Sequence, residues 1–215
     1  MLRNTLSLLL ILLSLHSTFA QNQWALKSNT DGIKIYTATV ADSKFKALKV
    51  ECDYDASLSQ IVAVLLDVNT CTEWVYHTKS VKLLKQPSPA EVYYYSEVSL
   101  PWPASNRDFI AHLTAHQDAE TKIVTVDGPA VNGLMPPKNG IVRVTESTGK
   151  WIITPVTKNQ VKVVYTLHVN PAGSLPAWLV NMFASEGPTQ SFKGLRAQLK
   201  KPKYANATLP FIVNY

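Results

Sequence analysis

The stretch SLPAWLVNMFASEGPTQSFKGLRAQLKK, residues 174–201, decides how this chain folds. It is a long helical pattern in a sequence that otherwise runs with a period of two. Pro176 suits the first turn of a helix and Ser174 a cap. At about 100° per residue, Leu175, Trp178, Leu179, Met182 and Phe183 fall within about 140° of one another. Phe192, Leu195 and Leu199 make a second cluster, rotated by about 130° from the first. The slip falls across Gly187-Pro188. Proline removes a helical hydrogen bond and clashes with the preceding turn, so the spacing predicts a long helix that is broken or kinked there.

Upstream, the alternation predicts strands. Ile33 to Tyr36 follows an Asp31-Gly32 turn, and Phe45 to Asp53 is a second strand. Ser57 or Asp55 can cap a short helix over Leu58, Ile61, Val62, Leu65 and Leu66. Asn69 to Trp74 reads as a turn or broken helix. Strands follow at Ser80–Lys85, Glu91–Leu100, Arg107–Gln117 and Lys122–Asp127. A loop rich in Gly, Pro and Asn comes next, with apolar Val131, Leu134 and Met135 inside it. Ile141–Glu146 and Lys150–Pro155 are expected to form a hairpin through Ser147-Thr148-Gly149. Val161, Val163, Tyr165, Leu167 and Val169 alternate on one face of the last strand. The fold class is therefore α+β: a curved antiparallel sheet, built as a meander, wrapped around a long, broken C-terminal helix. Such a pairing leaves an apolar cavity between helix and sheet, where small molecules bind.

Residues 1–20 read as a signal peptide: a positive start, an apolar run from Leu6 to Leu15, and small Thr18 and Ala20 at a cleavage site. The mature chain is expected to be exported, to the periplasm or the medium. No Cys follows the cleavage site, which argues against a lipid-modified N-terminus. Residues 21–203 are expected to form one domain and 204–215 a C-terminal tail. The chain holds 21 Lys+Arg against 15 Asp+Glu, a net charge of +6. The lysines are scattered, so the pattern describes a solvated surface with a weak pull toward anionic membranes. No basic stripe suggests nucleic acid. Cys52 and Cys71 could form a disulfide or stay as two buried thiols. They are not spaced for zinc, and the histidines do not converge, so no metal is expected. No nucleophile elbow, P-loop or HExxH motif is present.

Three segments carry a family resemblance: YYYSEVSLPWPASNRDFI (93–110), NGLMPPKNGIVRV (132–144) and NPAGSLPAWLVN (170–181). In this order and spacing, the chain resembles the StAR-related lipid-transfer (START) family of helix-grip lipid binders. The resemblance implies a cavity lined by Trp74, Tyr93, Tyr95, Glu97, Phe109, Leu113, Leu134, Met135, Trp178, Met182 and Phe183. It favours Glu97 facing inward, because sterol-binding members carry an acidic residue near that place, paired with an arginine on the next strand. Here that arginine's position is Leu113. Phosphatidylcholine-binding members are similar but carry an arginine shortly before Trp74, at about Cys71. With both arginines missing, a neutral or weakly polar ligand is expected, and Glu97 is expected to have a raised pKa. The 101–109 connection reads as architectural, with Trp102 packed on the sheet edge and Asn106, Arg107 and Asp108 fixing the turn and strand start. The implied function is a monomeric, non-enzymatic carrier without a cofactor, whose partners are one hydrophobic small molecule or lipid and, transiently, a membrane surface. Ligand uptake is expected past a moving Val131–Met135 loop. The alternative is an enzyme on the same fold, a polyketide cyclase or aromatase using Glu97 and a cavity tyrosine.

Overall fold

A computed structural model of the chain describes residues 24–214; the expected leader lies outside the described residues. Asp31 and Gly32 both take positive φ, 53° and 78°, the left-handed pair that closes a two-residue hairpin. They join β1 (Ala25–Thr30) to β2 (Ile33–Ala38), and β3 (Ala47–Tyr54) pairs with β2. Strand β1 has no apolar alternation, and five of its six residues are exposed, which is why sequence periodicity passes over it. Helix α1 (Leu58–Leu66) follows, opened by a capping box in which the Ser57 hydroxyl accepts from the Gln60 amide and the Gln60 side chain accepts from the Ser57 amide. A single 3-10 turn and the four-residue α2 (Cys71–Trp74) lead to β4 (Thr78–Ser88).

From there the chain runs through β5 (Glu91–Val98), β6 (Arg107–Gln117), β7 (Val124–Pro129), β8 (Val142–Arg143), β9 (Glu146–Thr157) and β10 (Gln160–Asn170). The sheet order is β1-β2-β3-β10-β9-β7-β6-β5-β4, with the short β8 running parallel to β6 off this path. The expected meander holds from β4 to β10, but α1 and α2 carry the chain across to the far edge, so β10 closes back on β3. Helices α3 (Ala177–Gln198) and α4 (Pro202–Ala205) complete the described elements. The core lies where α1 meets the sheet: Leu58, Ile61, Val62, Ile33, Ile35, Ile153 and Val163 are all buried.

Two expectations fail for physical reasons. Ser147, Thr148 and Gly149 are not a turn but the interior of β9. Gly149 lies opposite Gly128 of β7 and Leu167 of β10, and a Cβ there would stand 3.4 Å from the Tyr165 hydroxyl. The glycine marks a close approach within a strand. Nor is the last helix broken: α3 runs through Pro188. The Thr189 hydroxyl donates to the Ser185 carbonyl at 3.0 Å and the Ser185 hydroxyl to the Asn181 carbonyl at 2.8 Å, in the turns around the proline. The slip in the apolar stripe reflects a change of neighbour. The C-terminal half buries Phe192, Leu195 and Leu199, with Arg196 and Lys193 reaching Asp31. The N-terminal half sets Phe183 edge-on to Tyr76 and His77 and leaves Trp178 half exposed. Helix α3 begins at Ala177, with Pro176 rather than Ser174 at the cap position.

Residues 204–214 pack onto the domain. Tyr204 is buried and its hydroxyl donates to Asp67, while Asn214 accepts from the Ser59 amide. Cys52 and Cys71 are both free. Burial pushes their thiols up, to about 11 and about 12, which makes them poor nucleophiles.

Candidate functional site

The inward stripe of β10 fixes which side of the sheet is the interior, and the register carries it across the other strands. Val163 lies between Cys52 and Ile153, and Tyr165 between Val50 and Trp151. The next row reads Leu48, Leu167, Gly149 and Gly128, where a Cβ on Gly128 would stand 2.7 Å from Leu113 Cδ2, and ends at Leu113 and Val92. The row beyond is Val169, Ser147, Ala130, Ala111 and Tyr94. The first of these rows is aliphatic and closed. The Tyr165 row is aromatic: the Trp151 ring stacks on Phe192 of α3 at 5.3 Å and lies 4.3 Å from Tyr165. The last two rows gather small residues at their middle, Ser147, Gly149, Gly128, Ala130 and Ala111 of β9, β7 and β6 and the link after β7, so the floor of the sheet drops there between larger side chains at either end.

Tyr94 and Tyr165 border this hollow. Both rings are half-buried and pack against the core. Burial raises both phenols well above their ordinary pKa. Phe109 meets the Tyr94 ring edge-on at 5.9 Å. Trp74 is buried and its Nε1 has no partner among the described residues, and the same holds for Thr37 Oγ1 on the inner face of β2. The rows named above contain no ionised side chain.

Several expected cavity residues lie elsewhere. Tyr93, Tyr95 and Glu97 face the other side of the sheet, with Asp108, Ile110 and His112 of β6. Tyr93 stacks on His112 at 3.9 Å, and Lys138 lies 4.2 Å from the centre of the Tyr95 ring. Glu97 accepts from Lys79 and from Asn106, both at 2.8 Å. The Lys79 ammonium is the main cause of a lowered pKa, the reverse of the expected raised one. The error is one of parity, since a shift of one residue moves every side chain of a strand to the opposite face. Glu91 and Glu97 share the face of Tyr93 and Tyr95, while Val92, Tyr94, Ser96 and Val98 carry no charge; that contrast was the available signal. Leu113 and Cys71, which stand where the family's arginines were expected, are both buried and apolar. Leu134 and Trp178 are exposed, and Met135, Met182 and Phe183 are half-buried.

The 101–109 connection is architectural, though not through Trp102, which is 89% exposed. Asn106 accepts from the Leu100 amide. Arg107 gives three of its five N–H donors to the carbonyls of Ser105, Pro171 and Ala172, tying β6 to the segment that leads into α3. Asp108 receives a two-pronged contact from Arg143, whose guanidinium also donates to the Met135 and Pro136 carbonyls. The 131–141 segment is thereby tied to the outer face, with Lys138 over Tyr95.

Two open surface clefts, of about 430 and 410 Å³, lie away from these tyrosines. One lies between α2 and α3 around Trp74, Tyr76 and Lys193, and the other around Asp31, Asp53, Asp55 and Arg196. Among the described residues no cluster of His, Cys, Asp and Glu is arranged to hold a metal, and no helix is long and apolar enough to cross a membrane.

The model of the START domain matches residues 11–204. An uncharacterised protein of Pseudomonas aeruginosa is 33% identical over 83% of this chain and 87% of its own length. The phosphatidylcholine transfer protein of Bos taurus is 25% identical over 80% of this chain and 82% of its own. The crystal structure of a STAR-related lipid transfer protein fragment from Xanthomonas axonopodis superposes with a TM-score of 0.75 at 34% identity, covering 83% of this chain and 99% of that one.

Proposed function

Because the chain belongs to the START domain family, whose named relatives include lipid transfer proteins, we propose that it is a non-enzymatic carrier of one hydrophobic, uncharged lipid. The ligand lies between the hollow of the sheet and α3. The observation that carries this reading is the chemistry of the inner rows: glycine, alanine, aromatic and aliphatic residues with a few neutral polar groups and no ion. A phosphate buried there would lack a counter-charge, which costs several kcal/mol or more. Arg107 keeps its charge but stands at the start of β6, two rows beyond Ala111, held there by three backbone carbonyls. The enzymatic alternative required Glu97 beside a cavity tyrosine, and Glu97 lies on the opposite face in a contact with Lys79. The test is transfer of pyrene-labelled lipids between vesicles, with organic extraction and mass spectrometry of the purified protein. Transfer of a neutral lipid in preference to phosphatidylcholine is expected. A second reading, a phosphatidylcholine carrier, is favoured by the relatives that bear that name. Preferential transfer of phosphatidylcholine would select it, and failure to transfer either would end both.

We propose further that the protein acts after export, on the sequence of residues 1–20. N-terminal sequencing of the mature protein should begin at Gln21, and a mature chain beginning at Met1 in the cytoplasmic fraction would refute export.

A further inference from the structure

We propose that the Tyr94 and Tyr165 hydroxyls form an uncharged clasp that holds the polar oxygen of a neutral lipid, a hydroxyl or a carbonyl, deep in the concavity of the sheet. This assignment rests on the carrier function above and names how that site selects its ligand.

The two phenols come from strands far apart in the sheet but face the same hollow. Tyr94 of β5 lies opposite Ala111 and Leu83; Tyr165 of β10 lies opposite Trp151 and Val50. The Tyr165 ring lies over Gly149, with its hydroxyl 3.4 Å from where a Cβ would stand. Gly149 faces Gly128, and Gly128 lies against Leu113, which pairs with Val92, two residues from Tyr94. Gly149 leaves the sheet floor open beneath the Tyr165 hydroxyl, and the Leu113 side chain covers Gly128 between it and the β6 and β5 side where Tyr94 stands. Burial is the main cause of the raised Tyr94 pKa, with smaller contributions from Cys71 of α2 and then from Tyr165, which places both near its ring.

Neither hydroxyl has a hydrogen-bond partner among the described residues, and both rings are half-buried against the core on the inner face of the sheet. Two unpartnered phenols facing one space are therefore an acceptor and donor pair waiting for an occupant. Each group is neutral, because burial holds the phenols protonated. Such a clasp can donate to a carbonyl, or donate to and accept from a hydroxyl. It offers no charge to a phosphate or a free carboxylate.

The test compares matched probes: 10-(1-pyrenyl)decanol, 1-decylpyrene and a pyrene-labelled phosphatidylcholine, titrated by fluorescence. Tyr94→Phe and Tyr165→Phe each remove one oxygen and keep the ring. Each is expected to weaken the alcohol by about 3- to 10-fold, the loss of one hydrogen bond, and to leave decylpyrene within about twofold. If the double variant binds the alcohol as wild type does, or loses both neutral probes equally at an unchanged melting temperature, the clasp is refuted and the carrier function stands. If the wild type binds neither neutral probe, the carrier function fails and the clasp with it. Binding of the phosphatidylcholine probe that depends on either hydroxyl would overturn the neutral assignment. Should a Phe variant not fold, fluorotyrosine-labelled wild type gives the answer by NMR. Two resonances shifted by the alcohol and not by decylpyrene support the clasp, and identical responses to both probes overturn it.

Discussion

Removing Arg143 should unlatch the 131–141 segment and strand a buried charge. The Asp108 carboxylate is fully buried, and Arg143 meets it through Nε at 2.6 Å and a second nitrogen at 3.1 Å. Arg143→Leu preserves most of the side-chain volume but leaves the carboxylate with no counter-charge. Breaking a buried pair from one side costs about 3–5 kcal/mol, against about 1 kcal/mol or less for an exposed pair. The Met135 and Pro136 carbonyls lose their donors too, but they lie nearer solvent and add less. For a domain of this size the loss lowers the melting temperature by about 2–4 °C per kcal/mol. Urea denaturation followed by tryptophan fluorescence measures it directly, with the slope checked for two-state behaviour. Asp108→Asn in the Arg143→Leu background should recover part of the loss, because an amide needs no counter-charge. A loss below about 1 kcal/mol in the single variant, or no recovery in the double, would refute the reasoning, since both follow only if the carboxylate is charged and dry.

Gly194→Ala is expected to destabilise by about 1–3 kcal/mol, because a Cβ there would stand 2.8–3.0 Å from the Trp74 backbone, which cannot swing aside; thermal melts check this. Gly149→Val places methyl groups beside the Tyr165 hydroxyl and should weaken lipid-probe binding by about 1–3 kcal/mol, the cost of overfilling a packed site; unchanged probe affinity would show that the hollow is not where the ligand sits. Glu97→Gln should leave probe affinity unchanged, as the side chain faces away from the hollow. The folded pKa of Glu97 is lowered by Lys79, so its contribution is present above the ordinary carboxylate pKa and is lost as pH falls through the folded value. The variant should therefore show a flatter loss of stability with acid, measured as urea midpoints below about pH 5, the upper edge of the carboxylate range. Trp102→Ala should change stability by less than about 0.5 kcal/mol, as for other exposed substitutions; a larger loss in a denaturant titration would mean that the ring packs on the protein.

The sequence by itself determined the helix opened by Ser57, the two-residue turn at Asp31-Gly32, the inward stripe of β10 and the sheet-and-helix class, because each rests on local chemistry: a cap, a left-handed pair, a period. Asn106, Arg107 and Asp108 were legible as architecture for the same reason, since polar and charged residues at a strand start need near partners. Only the tertiary structure decided which face of β5 looks inward. Both faces of that strand carry tyrosine, and the choice depends on pairing with Leu113 and Ala111, residues set by register and not by neighbours in the chain. That single parity moved Glu97 out of the site and Tyr94 into it. It also took three dimensions to see that Gly149 clears space for Tyr165 and makes no turn. Likewise, the slip at Gly187-Pro188 records α3 passing from one set of neighbours to another. A local pattern reports that a residue is small or that a stripe rotates. What stands opposite it comes from strands and helices distant in the chain, and that opposition is what shapes a cavity.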